Sequence, residues 1–476
     1  MPPGSTPPTP SPGSAPSAPT AHSHPPSPPR TLIIGAGLGG SLLAHYLGAR
    51  GIPVQVVERR PDPRARGSLG GRSINLAISA RGFHALDRGG LGDAMRAVST
   101  RMPGRMIHTP DGHTHFQPYS RLPDRAIHSV SRSALNMLLI RAAAAHPSVT
   151  FRFDQRCLDV DLTRTPRPAA RFQGPDGSTM ELDADLIVGA DGAYSAVRSA
   201  MQRNERFDYR QEYLRHGYKE LTIPPADASG RFAMEPHALH IWPRGSSMMI
   251  ALPNPEGNFT CTLFWPFTAA PGQPSFSAIR TGEECRAYFE RHYPDAPPLM
   301  PDLQQEFERN PVGTMVTVRC FPWSWAGRTA LLGDAAHAVV PFYGQGANAS
   351  FEDCECLVDC LETHHMDVPA ALADYQDRRK RNADAIADMA LANFVEMRDR
   401  TASRAFRWRK KLEHALHGMM PSTFVPLYDM VSFSTIPYAD ARERARRQDR
   451  ALLGAGVTAA AVAAAGAIAG AAYLLS

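Results

Sequence analysis

Residues 31–60 read TLIIGAGLGGSLLAHYLGARGIPVQVVERR. A short apolar run rich in β-forming residues stops at glycines, apolar positions then recur with helical spacing, and a second apolar run ends at Glu58. The pattern is strand, turn, helix, strand, which makes one βαβ unit. Within the turn, Gly35-Ala36-Gly37-Leu38-Gly39-Gly40 fits G-x-G-x-x-G, where missing side chains permit a tight turn. They also let a pyrophosphate rest against backbone N–H groups at a helix N-terminus. Glu58 stands about twenty residues on, where a carboxylate accepts from ribose hydroxyls. Glycines serving helix–strand packing alone would leave Glu58 unexplained. Arg59 and Arg60 follow it and can accommodate a 2′-phosphate, so the motif expects a dinucleotide and leaves its identity open.

The 476 residues suggest two or three domains around this unit. A net charge of +5 is small for the length, and aromatics do not interleave with basic runs, so a nucleic-acid partner is not expected. Seven cysteines, odd in number and without paired zinc-type spacing, indicate a reducing, intracellular setting and no metal. Cys354, Cys356 and Cys360 read as small helix residues, because only the last two share a face. The first thirty residues hold twelve prolines and one charge, which marks a disordered tail rather than an export signal. The last 26, residues 451–476, carry no charge and are long enough to cross a hydrocarbon layer of about 30 Å. Five arginines between Arg442 and Arg450 would keep the preceding domain on the cytoplasmic side of such an anchor. The alternative is an alanine-rich helix packed on the protein itself.

Between the ends, residues 205–320 contain alternating runs such as ALHIWPRGSSMMIALP, and TALLGDA resumes a buried strand. In LLGDAAHAVVPFYGQGANAS, Asp334 ends a strand and Gly344-Gln345-Gly346-Ala347-Asn348 leads into a helix. A carboxylate there can hold a ribityl hydroxyl, and N–H groups at the helix start face a ring that becomes anionic on reduction. That chemistry suits a flavin. Together with Gly189-Ala190-Asp191-Gly192, these motifs resemble the FAD-dependent aromatic hydroxylases of the p-hydroxybenzoate hydroxylase type. Asp191 can equally be the cap of a strand-to-helix turn. The expected fold is α/β: a Rossmann-like FAD-binding domain (31–204 and 321–365) with an inserted sheet-rich substrate domain (205–320). C-terminal helices (366–450) follow, between the proline-rich start (1–30) and the apolar tail. In that family FAD stays bound and NADPH visits without a fingerprint of its own.

Further stretches, among them GRSINLAIS, GRMIH, QPYSR, HGYKELTIPP, PFYGQGAN, NFVEMR and MPSTFVPLYDMVSFS, are similar to the kynurenine 3-monooxygenases over about 31–440. The resemblance implies NADPH- and O2-dependent hydroxylation of L-kynurenine to 3-hydroxykynurenine through a flavin hydroperoxide, in tryptophan catabolism and quinolinate-derived NAD biosynthesis. By the same resemblance Arg105 and Tyr119 bind the substrate carboxylate, with Asn393 and Tyr428 on the pocket wall. Gly35, Gly37, Gly39, Glu58, Arg59, Arg60, Ala77, Arg132, Leu158, Asp191, Asp334, Gly346, Ala347 and Asn348 fall to the cofactor, and Pro341, Phe342 and Tyr343 lie near the flavin. A related monooxygenase acting on another aromatic acid is the alternative enzyme. A tethered flavin-binding interaction protein is the alternative class, supported only by the two ends of the chain.

Overall fold

Short strands made almost wholly of Val, Ile and Leu cannot alternate in and out, so they belong in a sheet covered on both faces. Three such strands, Leu186–Gly189, Thr31–Ile34 and Val54–Val57, lie side by side in parallel, flanked in the same direction by Thr329–Leu331 at one side and by the half-exposed Val149–Arg152 at the other. Ser324–Trp325 closes one edge antiparallel. The computed structural model describes residues 28–65, 74–120, 122, 124–395 and 424–452. The expected proline-rich tail (through residue 27) and the apolar segment from residue 453 onward lie outside them. No helix among the described residues is long and apolar enough to cross a membrane.

Helix Leu38–Gly48 follows the first strand and is buried along all eleven residues. It is wedged between the sheet and helices Arg132–Ala144 and Gly346–Thr363. Only glycine permits that approach. A Cβ on Gly40 would stand 2.0 Å from the Gly35 carbonyl oxygen, and one on Gly39 would stand 2.3 Å from Ser350 Oγ.

The second large sheet has seven strands, in the order Gly313–Phe321, Asp208–Ile223, Phe259–Pro266, Ser247–Pro253, Ala238–Arg244, Gly104–His108, Thr114–Pro118. Here the side chains do alternate. Met249, Ala251, Trp242, Leu263 and Trp265 face helices Gly282–His292 and Leu303–Arg309, packing with Phe289, Tyr293 and Phe307. Met248, Ile241, Phe264 and, partly buried, Ile250 and Leu239 face the other way, toward Phe342 and Tyr343. This second face is one wall of the site.

The strands from 104 to 118 correct the expected boundary, which left them with the FAD-binding part. Gly104–His108 pairs in parallel with Ala238–Arg244, Arg105 opposite Leu239, and Thr114–Pro118 pairs behind it. Such a contact, spanning well over a hundred residues of chain, leaves no local trace in the sequence. The long helix Val368–Val395 opens the region expected to be helical at 366–450. The helix Leu427–Ser432 then returns the chain to the gap between the two sheets, packing with Met102 and Ile127 through Tyr428.

Candidate functional site

The glycine turn is built to receive an anion. Gly35 has a left-handed φ of +109°, and a Cβ there would lie 2.4 Å from the Ala190 carbonyl oxygen. Gly37, by contrast, faces open space, with nothing within 4 Å of where its Cβ would be. The helix that follows has no side-chain cap and no acidic residue in its first turn, which leaves the positive end of its dipole unneutralised. Glu58 ends the next strand half-buried. Its Oε2 accepts from the Ala36 N–H at 2.9 Å and its Oε1 from the Arg60 N–H at 3.0 Å, so it closes the turn from beside the ribose position. Arg59 and Arg60 are exposed at that rim.

A second uncapped helix start, Gly346 after Gln345, has no acid in its first turn either. Ahead of it Pro341–Tyr343 forms a 3₁₀ turn that ends on Gly344 at φ +65°. Asn348 is completely buried and brackets this loop. Its Oδ1 accepts from the Ser79 N–H at 3.0 Å, and its Nδ2 donates to the carbonyls of Ala77 at 3.0 Å and Gly344 at 2.8 Å. The Asn348 side chain is thereby spent on the protein, so contact with a cofactor falls to backbone at Gly346 and Ala347. Asp334 is exposed at a helix start, directly after Gly333 with φ +61°. Asp191 Oδ2 accepts from the Ala196 N–H at 2.7 Å, whereas its Oδ1 is buried without a partner. Leu158 and Arg132 are exposed side chains. An open Gly37, two uncapped helix starts, an orphaned carboxylate oxygen and a free exposed carboxylate fit a group with a pyrophosphate, hydroxyls and a ring, as FAD has.

On the substrate side, alternation along Gly104–His108 turns Arg105 toward the site, on the face that Ile107 shares. Its guanidinium carbon lies 5.1 Å from the centroid of the Tyr119 ring and 5.4 Å from that of Tyr428, and those two rings stack at 5.3 Å. Arg105 has no ion pair among the described residues. A half-buried cation held by aromatic faces instead of a carboxylate has the chemistry to receive an anion. The Tyr119 hydroxyl is buried without a hydrogen bond of good geometry. Burial pushes its phenol well above the ordinary value, the Arg105 cation opposing, so the hydroxyl remains a donor at neutral pH. Tyr428 is raised by the same burial.

The box around these groups is apolar: Met102, Ile127 and Leu252, with Ala77, Ile250 and Phe433 packed against them. It opens on the flavin loop, since the Tyr343 and Tyr428 rings stack at 6.0 Å. Asn393 Nδ2 donates to the Phe342 carbonyl at 2.8 Å, fixing the loop to the C-terminal helix. Phe342 rests 4.4 Å from Phe394 and 5.1 Å from Phe264, centroid to centroid. Of the four residues expected at the substrate, Arg105, Tyr119 and Tyr428 form one cluster, whereas Asn393 meets the loop at the Phe342 carbonyl.

Several residues at this site had no place in the sequence reading. Phe433 closes the box. Asp353 is fully buried and accepts from the Gly333 N–H at 3.0 Å, His337 Nε2 at 2.5 Å and Arg379 Nε at 2.7 Å. Burial works against its charge, but His337 and Arg379 outweigh it and hold the pKa below the ordinary carboxylate range. A signal existed: Asp353 interrupts the buried helical stripe of Ser350, Leu357 and Leu361. The Cys354 thiol donates to the Gly39 and Ser350 carbonyls, both at 3.2 Å, and is a packing element.

Residues 29–390 match the family model described as FAD binding domain. The chain is 48% identical over 428 residues to a kynurenine 3-monooxygenase of Salinispora tropica, covering 90% of this chain and 93% of that protein. It is 44% identical to one of Dictyostelium discoideum, covering 86% and 89%. Among solved structures, 2-methyl-3-hydroxypyridine-5-carboxylic acid oxygenase superposes with a TM-score of 0.63 at 21% identity, over 80% of this chain and 95% of that one. The p-nitrophenol 4-monooxygenase of Pseudomonas putida gives 0.63 at 18%, over 83% and 94%. At these identities the structures speak for the fold alone.

Proposed function

We propose, from the premise that the chain belongs to the kynurenine 3-monooxygenase family of FAD-dependent enzymes, that it hydroxylates L-kynurenine to 3-hydroxykynurenine with NADPH and O2. The observation that carries the reading to this site is Arg105, half-buried between Tyr119 and Tyr428 with no carboxylate paired to it among the described residues.

When bound, FAD supplies the chemistry that takes electrons from NADPH and activates O2. The chain's own residues bind and orient. Arg105 holds the α-carboxylate of the amino acid, and the Tyr119 hydroxyl, kept protonated by its burial, donates a second hydrogen bond that fixes its direction. Phe433, Ile250 and Leu252 enclose the aryl ring and exclude water, which favours hydroxylation over loss of peroxide. Asn393 keeps Phe342 and the loop at the mouth of the box, so the ring carbon beside the aniline nitrogen meets the flavin side. Glu58, the N–H groups after Gly37 and those after Gln345 would hold the ribose, pyrophosphate and ring of FAD. NADPH docks without a second glycine fingerprint. The apolar tail and the arginines ahead of it support attachment to a membrane on its cytoplasmic side.

The decisive comparison is between L-kynurenine and kynuramine, the same molecule without its α-carboxylate. Losing a charge-assisted contact worth about 1.5–3 kcal/mol should raise KM by roughly 10- to 100-fold. Equal KM values would remove Arg105 from the site.

A further inference from the structure

Arg81 lies in helix Ala80–Arg88, whose sequence ARGFHALDR reads as a charged surface helix, yet its side chain is 0% exposed. Nothing in the chemistry of FAD or of an amino-acid substrate calls for it. Four of the five N–H donors of its guanidinium are nevertheless engaged. Nε donates to the Val431 carbonyl at 2.8 Å, Nη2 to the carbonyls of Met430 at 3.1 Å and Ile436, and Nη1 to Glu352 Oε1 at 2.6 Å. The ring of Tyr438 covers it, with centroid and guanidinium carbon 4.0 Å apart.

Three of these four acceptors belong to one short segment. Met430 and Val431 lie at the end of helix Leu427–Ser432, where backbone carbonyls lack intrahelical partners, and that helix has no basic residue in its last turn. A cation from a helix more than three hundred residues earlier in the chain supplies the missing cap. Six residues cannot hold a helix in water by themselves. The helix in question carries Tyr428, with Phe433 directly after it, so its position is the position of the substrate-box wall.

The other arm of Arg81 enters an ionic relay. Glu352 Oε2 accepts from Arg379 Nη1 at 2.9 Å, Arg379 Nε donates to Asp353 Oδ1 at 2.7 Å, and Asp353 Oδ2 receives the Gly333 N–H beside Asp334. Tyr438 adds a second thread, its hydroxyl donating to Gln345 Oε1 at 2.9 Å just before the flavin-side helix. Two arginines face two carboxylates, so the relay is balanced and each charge depends on the others.

We propose that Arg81 is a positioning residue for the substrate: it clamps the 427–438 segment onto the turn at Gly333 through the relay Glu352–Arg379–Asp353. The clamp sets the distance of the Tyr428 wall from the flavin loop. This deepens the hydroxylase reading above and rests on it. A loosened wall binds kynurenine weakly and lets reducing equivalents reach oxygen without hydroxylation, while the glycine turn still holds FAD.

The test uses FAD-loaded full-length protein, with rates expressed per bound flavin, in Arg81→Met, Arg81→Lys and Glu352→Gln. Expected for Arg81→Met are a KM for L-kynurenine raised about tenfold or more and a fall in 3-hydroxykynurenine formed per NADPH consumed. NADPH oxidation at saturating kynurenine should stay within about threefold of the parent. Arg81→Lys, keeping the charge but not the fork, should recover part of both losses, and Glu352→Gln should shift both in the same direction by less. A fold-support role alone would lower melting temperature and flavin content while leaving KM and product yield per bound flavin unchanged, and that result overturns the proposal. If Arg81→Met yields no holoprotein, parental KM and yield in Arg81→Lys and Glu352→Gln overturn it equally. A parent chain that forms no product from kynurenine contradicts the hydroxylase reading instead. The clamp is then read from amide exchange across 427–438, which must rise in the variants while Gly346–Thr363 stays protected, and unchanged exchange overturns it.

Discussion

At Arg105 the energetics are those of a charge kept without a carboxylate partner among the described residues. Stacking between Tyr119 and Tyr428 offsets part of the desolvation, and the remainder is relieved when a carboxylate arrives. Arg105→Ala should therefore raise the KM for L-kynurenine by the equivalent of roughly 2–4 kcal/mol, with a smaller effect on turnover, as steady-state kinetics would show. Unchanged kinetics would remove the assignment. Gly35 makes a sterner prediction, because an alanine there meets both a φ of +109° and a carbonyl oxygen 2.4 Å away. Gly35→Ala should purify without flavin absorbance or not fold at all. A yellow, active Gly35→Ala protein would mean that the turn is not what holds the cofactor. Gly35 and Glu58 were legible from sequence since their logic is local, a turn and the strand end that follows. Arg105 was legible only by resemblance, and Arg81 not at all. Its three carbonyl acceptors lie about 350 residues away, and arginine within a polar helical pattern ordinarily marks a solvated face.

At the scale of elements, alternation in the seven-stranded sheet explains how one strand serves two purposes. Arg105 and Ile107 face the loop and the Tyr119–Tyr428 rings, while His108 on the opposite face stacks on Trp242 at 3.8 Å and bridges to His240 at 2.8 Å. Burial, chiefly, pushes His240 down to about 4, from an ordinary value of 6.5, so it is neutral at pH 7 in the folded sheet. The unfolded chain binds that proton more readily. The stability His240 contributes is thus complete above about pH 6.5 and lost as pH falls toward about 4, with a limit near 3 kcal/mol. His128, pushed down to about 4 by burial and by Arg101 and Arg96, acts in the same window from the three-stranded sheet. Urea midpoints followed from pH 7 to about 4.5 should decline, and His240→Gln should flatten part of that decline. A midpoint that does not move with pH would show that neither ring is buried uncharged, and a His240→Gln slope equal to the parent's would show it of His240. The strands themselves were readable from their composition. What escaped was the parallel pairing of Gly104–His108 with Ala238–Arg244, because register across so long a separation is decided by the finished sheet.

For the molecule as a whole, the order of motifs along the chain was enough for the architecture: a parallel sheet, a second sheet inserted into it, and helices that return to close the gap. The closure was not. The cross-links from Arg81 to Ile436 and from Tyr438 to Gln345 join parts of the chain whose sequences, read separately, look like surface and loop. Residues 453–476 lie outside the described residues, and the proposed anchor is tested on the chain itself. Removing residues 451–476 should shift the protein from the membrane to the supernatant fraction with kinetics unchanged, and an intact chain already in the supernatant would end the idea of an anchor. A flavin site whose neighbouring box takes kynurenine can be probed by NADPH consumption of the purified yellow protein with and without L-kynurenine, with chromatographic assay of 3-hydroxykynurenine. Stimulation with product formed mole for mole is expected; flavin-replete protein whose NADPH consumption ignores kynurenine, or rises without product, would rule that site out.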